Sequence, residues 1–107
     1  MMKQISPLEL RSRLDSADAK PVLLDVREPV EYRHCRIEGS LHIPMNDVPA
    51  RIGELDPQRE TVVICHHGMR SASVANYLIR QGFQNVFNLS GGVDAWAIQV
   101  APDMPRY

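Results

Sequence analysis

The chain has 107 residues, of which 44% are hydrophobic and 23% charged, and a formal net charge of -1. That size and balance fit one domain able to fold without disulfides or metal, and without a basic stripe they exclude a general nucleic-acid binder. The N-terminal stretch Met1 to Pro7 has no apolar signal core and no later apolar run approaches membrane-spanning length, so a cytoplasmic protein without a membrane partner is expected.

In chain order, Ser6-Pro7-Leu8-Glu9 is a helix start, with Ser6 as N-cap, Pro7 at the first helical position and Glu9 placed for a capping box. Leu8, Leu10 and Leu14 give that helix an apolar face, and it ends near Ser16, before a turn over Asp18-Ala19-Lys20-Pro21. Val22 to Val26 is nearly all apolar, as a parallel strand covered on both faces should be. Arg27-Glu28-Pro29 closes it, and Pro29 opens a short helix through Glu31, Tyr32 and Arg33. A loop with a short strand follows over Ile37 to Pro44. Asn46 or Asp47 caps another short helix, with Pro49 in its first turn and Ile52 and Leu55 toward the core. After a turn at Asp56 to Glu60, Thr61-Val62-Val63-Ile64 reads as a buried, β-branched strand. A helix with Val74, Ala75, Leu78 and Ile79 on one face and Gly82 at its C-cap comes next. Asn85 to Leu89 is a further strand, and Ser90-Gly91-Gly92 turns into a last helix around Val93 to Gln99, anchored in the core by Trp96. The core thus runs from about residue 4 to 99, with 100–107 as a surface tail. Strands alternating with helices imply an α/β fold with parallel pairing, and in such sheets ligands bind outside the carboxyl ends of the strands. Arg27 and Cys65 both lie at such ends.

The chemistry concentrates at Cys65-His66-His67-Gly68-Met69-Arg70, between the apolar strand and the helix that follows. A cysteine there meets the partial positive charge of a helix N-terminus and a concave nest of loop amides, which favours the thiolate. Arg70 adds a fixed charge, and His66 and His67 add more when protonated. Cys65 is therefore expected to be a reactive thiolate. Arg70 has two tasks open to it, attracting an anion or bracing the loop, since its rigid donor fork suits both. Met69 flanks the entrance or packs beside it. Asp25 and Arg27 form a brace at the neighbouring strand end, and His42 is a half-buried loop residue. The two cysteines, Cys35 and Cys65, lack the Cys-x-x-Cys spacing of a redox pair, and Cys35 is read as a packed residue ending a short helix. The four histidines are not spaced for zinc, and the adjacent His66 and His67 suit a loop better than a shared ion. Neither metal nor cofactor is expected.

Three stretches in order resemble the rhodanese-like domains: Asp25-Val26-Arg27-Glu28-Pro29-Val30-Glu31-Tyr32 continuing to Ile37 through Pro44, the loop Cys65 to Ser71, and Leu89-Ser90-Gly91-Gly92-Val93-Asp94-Ala95-Trp96. The resemblance spans essentially the whole chain. It implies a five-stranded parallel sheet flanked by helices on both faces, and a single-domain sulfurtransferase. Cys65 matches the family's nucleophile, and His66, His67, Gly68, Met69 and Arg70 match the loop whose amides surround the persulfide. The implied partners are a small anionic sulfur donor such as thiosulfate and a thiophilic acceptor such as cyanide, with a protein acceptor as the alternative.

The sequence departs from the family at Cys35-Arg36-Ile37, where many members read Gly-His-Ile. The loop also lacks the Cys-Gly-Ser/Thr-Gly-Val pattern of mercaptopyruvate-preferring relatives, which leaves thiosulfate as the expected donor. Cysteine-dependent phosphatases and arsenate reductases place the arginine six positions after the cysteine. Here Arg70 stands five after Cys65, and Ser71 holds the sixth position. A ring one residue shorter suits a single sulfur better than a tetrahedral phosphate.

Overall fold

A computed structural model describes residues 2–16 and 20–107. The turn expected from Asp18 lies in part outside them. Five parallel strands form one sheet in the order β1-β5-β4-β2-β3, where β1 is Lys3–Ile5, β2 Val22–Asp25, β3 Leu41–His42, β4 Thr61–Ile64 and β5 Val86–Leu89. The helices are α1 (Pro7–Asp15), α2 (Pro29–His34), α3 (Val48–Arg51), α4 (Met69–Arg80) and α5 (Gly92–Gln99). No helix is long and apolar enough to cross a membrane among the described residues.

Alternation along the central strands assigns the two faces. Leu24, Val26, Val63 and Cys65 turn to one side and pack with Val74, Ala75 and Leu78 of α4 and Val48 of α3. Leu23, Val62, Ile64, Phe87 and Leu89 turn to the other, against Leu10 of α1 and Val93 and Trp96 of α5. Both faces of β4 and β5 are buried along their whole length, which is why β4 reads as a nearly continuous apolar run and β5 as an apolar strand interrupted only by Asn88.

Most boundaries fall where the sequence puts them. The Ser6 hydroxyl accepts from the Glu9 N–H at 3.1 Å and the Glu9 carboxylate accepts from the Ser6 N–H at 2.9 Å, which completes the capping box. Gly82 takes a positive φ of 96° just beyond α4. Three readings are corrected. β1 was not anticipated: of Lys3, Gln4 and Ile5 only Ile5 is buried, so three residues on a sheet edge leave no period to detect. Leu8 is 61% exposed and takes no part in the apolar face of α1, which rests on Leu10 with Leu14 packed beside it. The segment around Asp47 is a 3₁₀ turn, Met45–Asp47, leading into α3, and the Asp47 side chain makes no capping bond.

The chain order positions the site. From β2 the chain moves outward to β3, then returns past β2 to β4 and continues the opposite way to β5. Connections therefore leave the carboxyl ends of β2 and β4 in opposite directions, and such a switch point is where an open α/β sheet forms its ligand crevice. Asp25–Arg27 and Cys65 sit at these two ends, with Asp25 and Ile64 in register.

Candidate active site

Cys65 follows β4 and continues its alternation, so its side chain turns toward α4 and is 1% exposed. The chain then reverses through Gly68, whose φ of 105° lies where side-chain-bearing residues are strained. That conformation starts α4 at Met69 and returns the Gly68 N–H to the Cys65 Sγ at 3.1 Å. The Ser71 hydroxyl lies 3.2 Å from the same sulfur. Of the loop amides expected around Cys65, the Gly68 N–H is the one that reaches Sγ.

The loop is held from behind by α5. The Val93 N–H donates to the Cys65 carbonyl at 2.9 Å and the Asp94 N–H donates to the His66 carbonyl at 3.1 Å. Two of the unpaired N–H groups at a helix start are thus spent on loop carbonyls. Because a trans peptide places its N–H opposite its C=O, the N–H groups of His66 and His67 face away from α5. Gly92 makes this approach possible, since a Cβ there would fall 2.3 Å from the His66 carbonyl oxygen and 2.4 Å from that of Cys65.

Below the sulfur lies a polar chain. Ser71, fully buried, donates its hydroxyl to Asn88 Oδ1 on β5. The Asn88 amide donates to the Gly68 carbonyl at 3.0 Å and to Gln4 Oε1 of β1 at 3.3 Å. Gln4 Oε1 also accepts from the Ser90 hydroxyl at 2.9 Å.

Above the loop the contacts are ionic. Arg70 forms a two-pronged pair with Glu31 at 2.6 and 2.8 Å, so of its two tasks the geometry gives it the brace to α2. The Arg70 hydrogen bonds hold the Glu31 carboxyl down at about 2. The tail then folds back: the Tyr107 hydroxyl donates to Glu31 at 2.9 Å and accepts from Arg27 at 2.9 Å, and its ring stacks on His66 at 4.0 Å. Burial raises the Tyr107 phenol to about 12, so it remains a donor. Residues 100–107 are a strap across the site as well as a surface tail.

At the neighbouring strand end, Arg27 and Asp25 are both fully buried and paired at 2.7 Å. Arg27 also donates to the Cys35 carbonyl at 2.6 Å and to the Glu31 carbonyl at 3.3 Å. Burial opposes its charge, but Asp25 and the Tyr107 hydroxyl raise its pKa above the ordinary arginine value. Cys35 is buried and free, 3.8 Å from the Arg27 guanidinium. His42 ends β3 with its Nε2 2.7 Å from the Arg27 carbonyl and its ring stacked on Tyr32 at 4.3 Å.

The histidines depart from expectation. Burial, and then His67, lower the pKa of His66, which works against the positive charge expected of it. Its Nε2 is buried without a hydrogen-bond partner among the described residues. Among the described residues, His66, His67 and Asp94 bring potential metal-ligand atoms within 4.8 Å of one another. The two imidazoles overlap at 3.9 Å with a tilt of 31°, so their in-plane lone pairs do not converge, and Arg106 occupies the Asp94 carboxylate at 2.8 and 3.3 Å. Met69, the first residue of α4, is 82% exposed rather than packed.

Gln4, Glu31, Asn88 and Tyr107 are site residues that the sequence alone does not mark, and Ser71 stands out in it only by holding the sixth position after Cys65. Asn88 comes nearest to a signal, as the polar residue inside the buried run Val86–Leu89. The others have none, because their role depends on which elements meet.

A sheet with its crevice at β2 and β4, and a cysteine cradled where β4 turns into α4, define the rhodanese-like class. The Rhodanese-like domain family matches residues 6–99, and the chain belongs to it. It is 40% identical over 98 residues to a sulfurtransferase of Allochromatium vinosum, covering 91% of this chain and 90% of that protein. It is 31% identical over 99 residues to the thiosulfate sulfurtransferase GlpE of Glaesserella parasuis, covering 92% and 90%. A crystal structure of a Staphylococcus saprophyticus protein superimposes with a TM-score of 0.84 at 31% identity, covering 92% of this chain and 97% of that one.

Proposed function

We propose that this protein is a sulfurtransferase that carries a sulfane sulfur on Cys65. The observation that supports it most is the placement of Sγ, at the switch point of the sheet and under the Gly68 N–H. The sulfurtransferase names of full-length relatives point the same way. In the loading step the Cys65 thiolate attacks the outer sulfur of thiosulfate. A new S–S bond forms, the bond to the sulfonate sulfur breaks, and sulfite leaves with the electron pair. In the discharge step a thiophilic acceptor such as cyanide attacks the terminal sulfur and Sγ departs as thiolate. The Gly68 N–H stabilises negative charge on Sγ at both ends of the cycle.

Access favours this chemistry. With Cys65 1% exposed, a donor reaches it through a slim terminal atom, which thiosulfate offers. A phosphoryl group would need a wider ring of amides and a free guanidinium, whereas Arg70 is committed to Glu31.

The test is the intact mass of the reduced protein after incubation with thiosulfate and desalting. A cyanide-labile gain of one sulfur atom is expected in the wild type and not in Cys65→Ser. An unmodified wild type, or full turnover by Cys65→Ser, overturns the reading. Comparing cyanide with a protein acceptor for the loaded sulfur would then separate free-standing catalysis from delivery to a partner.

A further inference from the structure

The Ser71 hydroxyl has one hydrogen and two neighbours that can take it, Asn88 Oδ1 and Cys65 Sγ. Which of them receives it follows from the backbone. The Asn88 amide faces the Gly68 carbonyl at 3.0 Å, and a backbone carbonyl only accepts, so the NH₂ end of Asn88 points there. The Oδ1 end is left facing Ser71. Gln4 does not change this, because the Gly68 carbonyl fixes the amide whichever way Gln4 is turned. With the Ser71 hydrogen given to Asn88, its oxygen presents lone pairs to Sγ and is satisfied by a cysteine S–H. All three side chains are buried, so no solvent replaces a missing partner.

A thiolate breaks that chain of bonds. Sγ then has no hydrogen to give, and the Ser71 lone pairs would face a negative charge. The hydroxyl must turn its hydrogen from Asn88 to Sγ, which leaves Asn88 Oδ1 a buried acceptor without a donor.

We propose that Ser71 is a catalytic residue, a hydroxyl switch that donates to Asn88 while Cys65 is a thiol and to Sγ while it is a thiolate. Asn88 is the positioning residue that competes for the hydrogen. This rests on the sulfur-transfer reading of Cys65. In that cycle the thiolate is both the nucleophile that takes up sulfur and the leaving group that releases it, so one hydroxyl serves both displacements. On ionisation the S–H proton passes to solvent, and the hydroxyl rotates without giving up its own.

The two residues should therefore act in opposite directions. Ser71→Ala removes the donor to the thiolate, whereas Asn88→Ala removes only the competitor. Alkylation of Cys65 by iodoacetamide near neutral pH, followed by peptide mass spectrometry to separate Cys65 from Cys35, reads the thiolate directly. Ser71→Ala should slow it by about 10-fold or more, the loss of a hydrogen bond to a charged group, and Asn88→Ala should speed it by about threefold or more. Asn88→Asp, close in shape, should slow it, because a carboxylate holds the hydroxyl hydrogen more strongly and repels the thiolate. A merely structural role would move both alanine variants the same way. Both slowing, both accelerating, or Ser71→Ala reacting at the wild-type rate overturns the switch. If Asn88→Ala does not fold, Asn88→Asp decides: a rate equal to or above wild type is fatal to the proposal. Failure of thiosulfate to load the wild type would overturn the sulfur-transfer reading instead, and the alkylation rates would still judge Ser71.

Discussion

Strands β2 and β4 are paired in register from Val22 and Thr61 to Asp25 and Ile64, yet they bring opposite kinds of polar group to the same edge of the sheet. At the end of β2 a buried guanidinium donates to Asp25, to two backbone carbonyls and to the Tyr107 hydroxyl. At the end of β4 a buried sulfur receives one amide hydrogen and touches one hydroxyl. The first end is saturated and the second is sparsely held. An ion with all its partners has no reason to react, because any change costs the desolvation of a buried charge. A sulfur with few partners can gain and lose a covalent neighbour at small structural cost. The more conspicuous polar residue of the pair, Arg27, is therefore the structural one.

Crossed substitutions put the largest effects on this contrast. Arg27→Ala leaves Asp25 as an unpaired buried carboxylate and should cost about 3–5 kcal/mol of stability by urea denaturation. Replacing both members, Asp25→Leu with Arg27→Met, should cost less than Arg27→Ala alone. Cys65→Ser should abolish sulfur loading while costing much less stability than Arg27→Ala, because the serine hydroxyl inherits the Gly68 N–H and the Ser71 hydroxyl as hydrogen-bond partners. If Cys65→Ser unfolded the protein as readily as Arg27→Ala, the two strand ends would not differ as argued.

Gly92 comes next. It lets α5 reach the loop carbonyls, and its φ of 61° is itself one that side chains rarely adopt. Gly92→Ala drives a methyl group into two backbone carbonyls, which cannot move without moving Cys65. A loss of about 2–4 kcal/mol is expected, from backbone strain and the steric overlap together. Thermal melting would measure it, and sulfur loading should fall with it.

How far the sequence disclosed this site depends on how local each part is. Strand ends, capping residues and the turn glycines were readable because each is fixed by neighbours a few positions away: Ser6 with Glu9, and Gly68 between the apolar strand and the helix. The position of Cys65 was readable for the same reason. What sits around it was not. Glu31 and Arg70 are thirty-nine positions apart, Asn88 and Gln4 eighty-four, and Tyr107 and Arg27 eighty. Such partners are chosen by strand order, and β1, which brings Gln4 to Asn88, was the strand with no detectable period. That Arg70 meets Glu31 of α2 is likewise a matter of which elements come together.

The outer brace can be weakened in steps. Glu31→Gln keeps the shape but loses the ion pair, at a cost of about 1–2 kcal/mol for a partly buried, two-pronged contact. The pKa of Glu31 is depressed to about 2, so its contribution is complete above the ordinary value of 4.5 and is lost as pH falls from there through about 2. Denaturation curves of wild type and Glu31→Gln should therefore converge on acidification across that window, and a constant gap would mean that the pair is not the source of the difference.

Tyr107→Phe keeps the ring on His66 and removes only the hydroxyl between Arg27 and Glu31, so the loss should be smaller, about 0.5–1.5 kcal/mol. The phenol is raised from 10.0 to about 12, and the sign is opposite to that of Glu31: its contribution is complete below 10 and is lost as pH rises through about 12. Ultraviolet titration of the tyrosines, with Tyr107→Phe to assign the late one, would follow it. The variant also divides the strap from the brace. If sulfur loading is unchanged while stability falls, the hydroxyl serves only to fasten the tail. If loading slows as well, the tail helps to hold Arg70 and the loop in place.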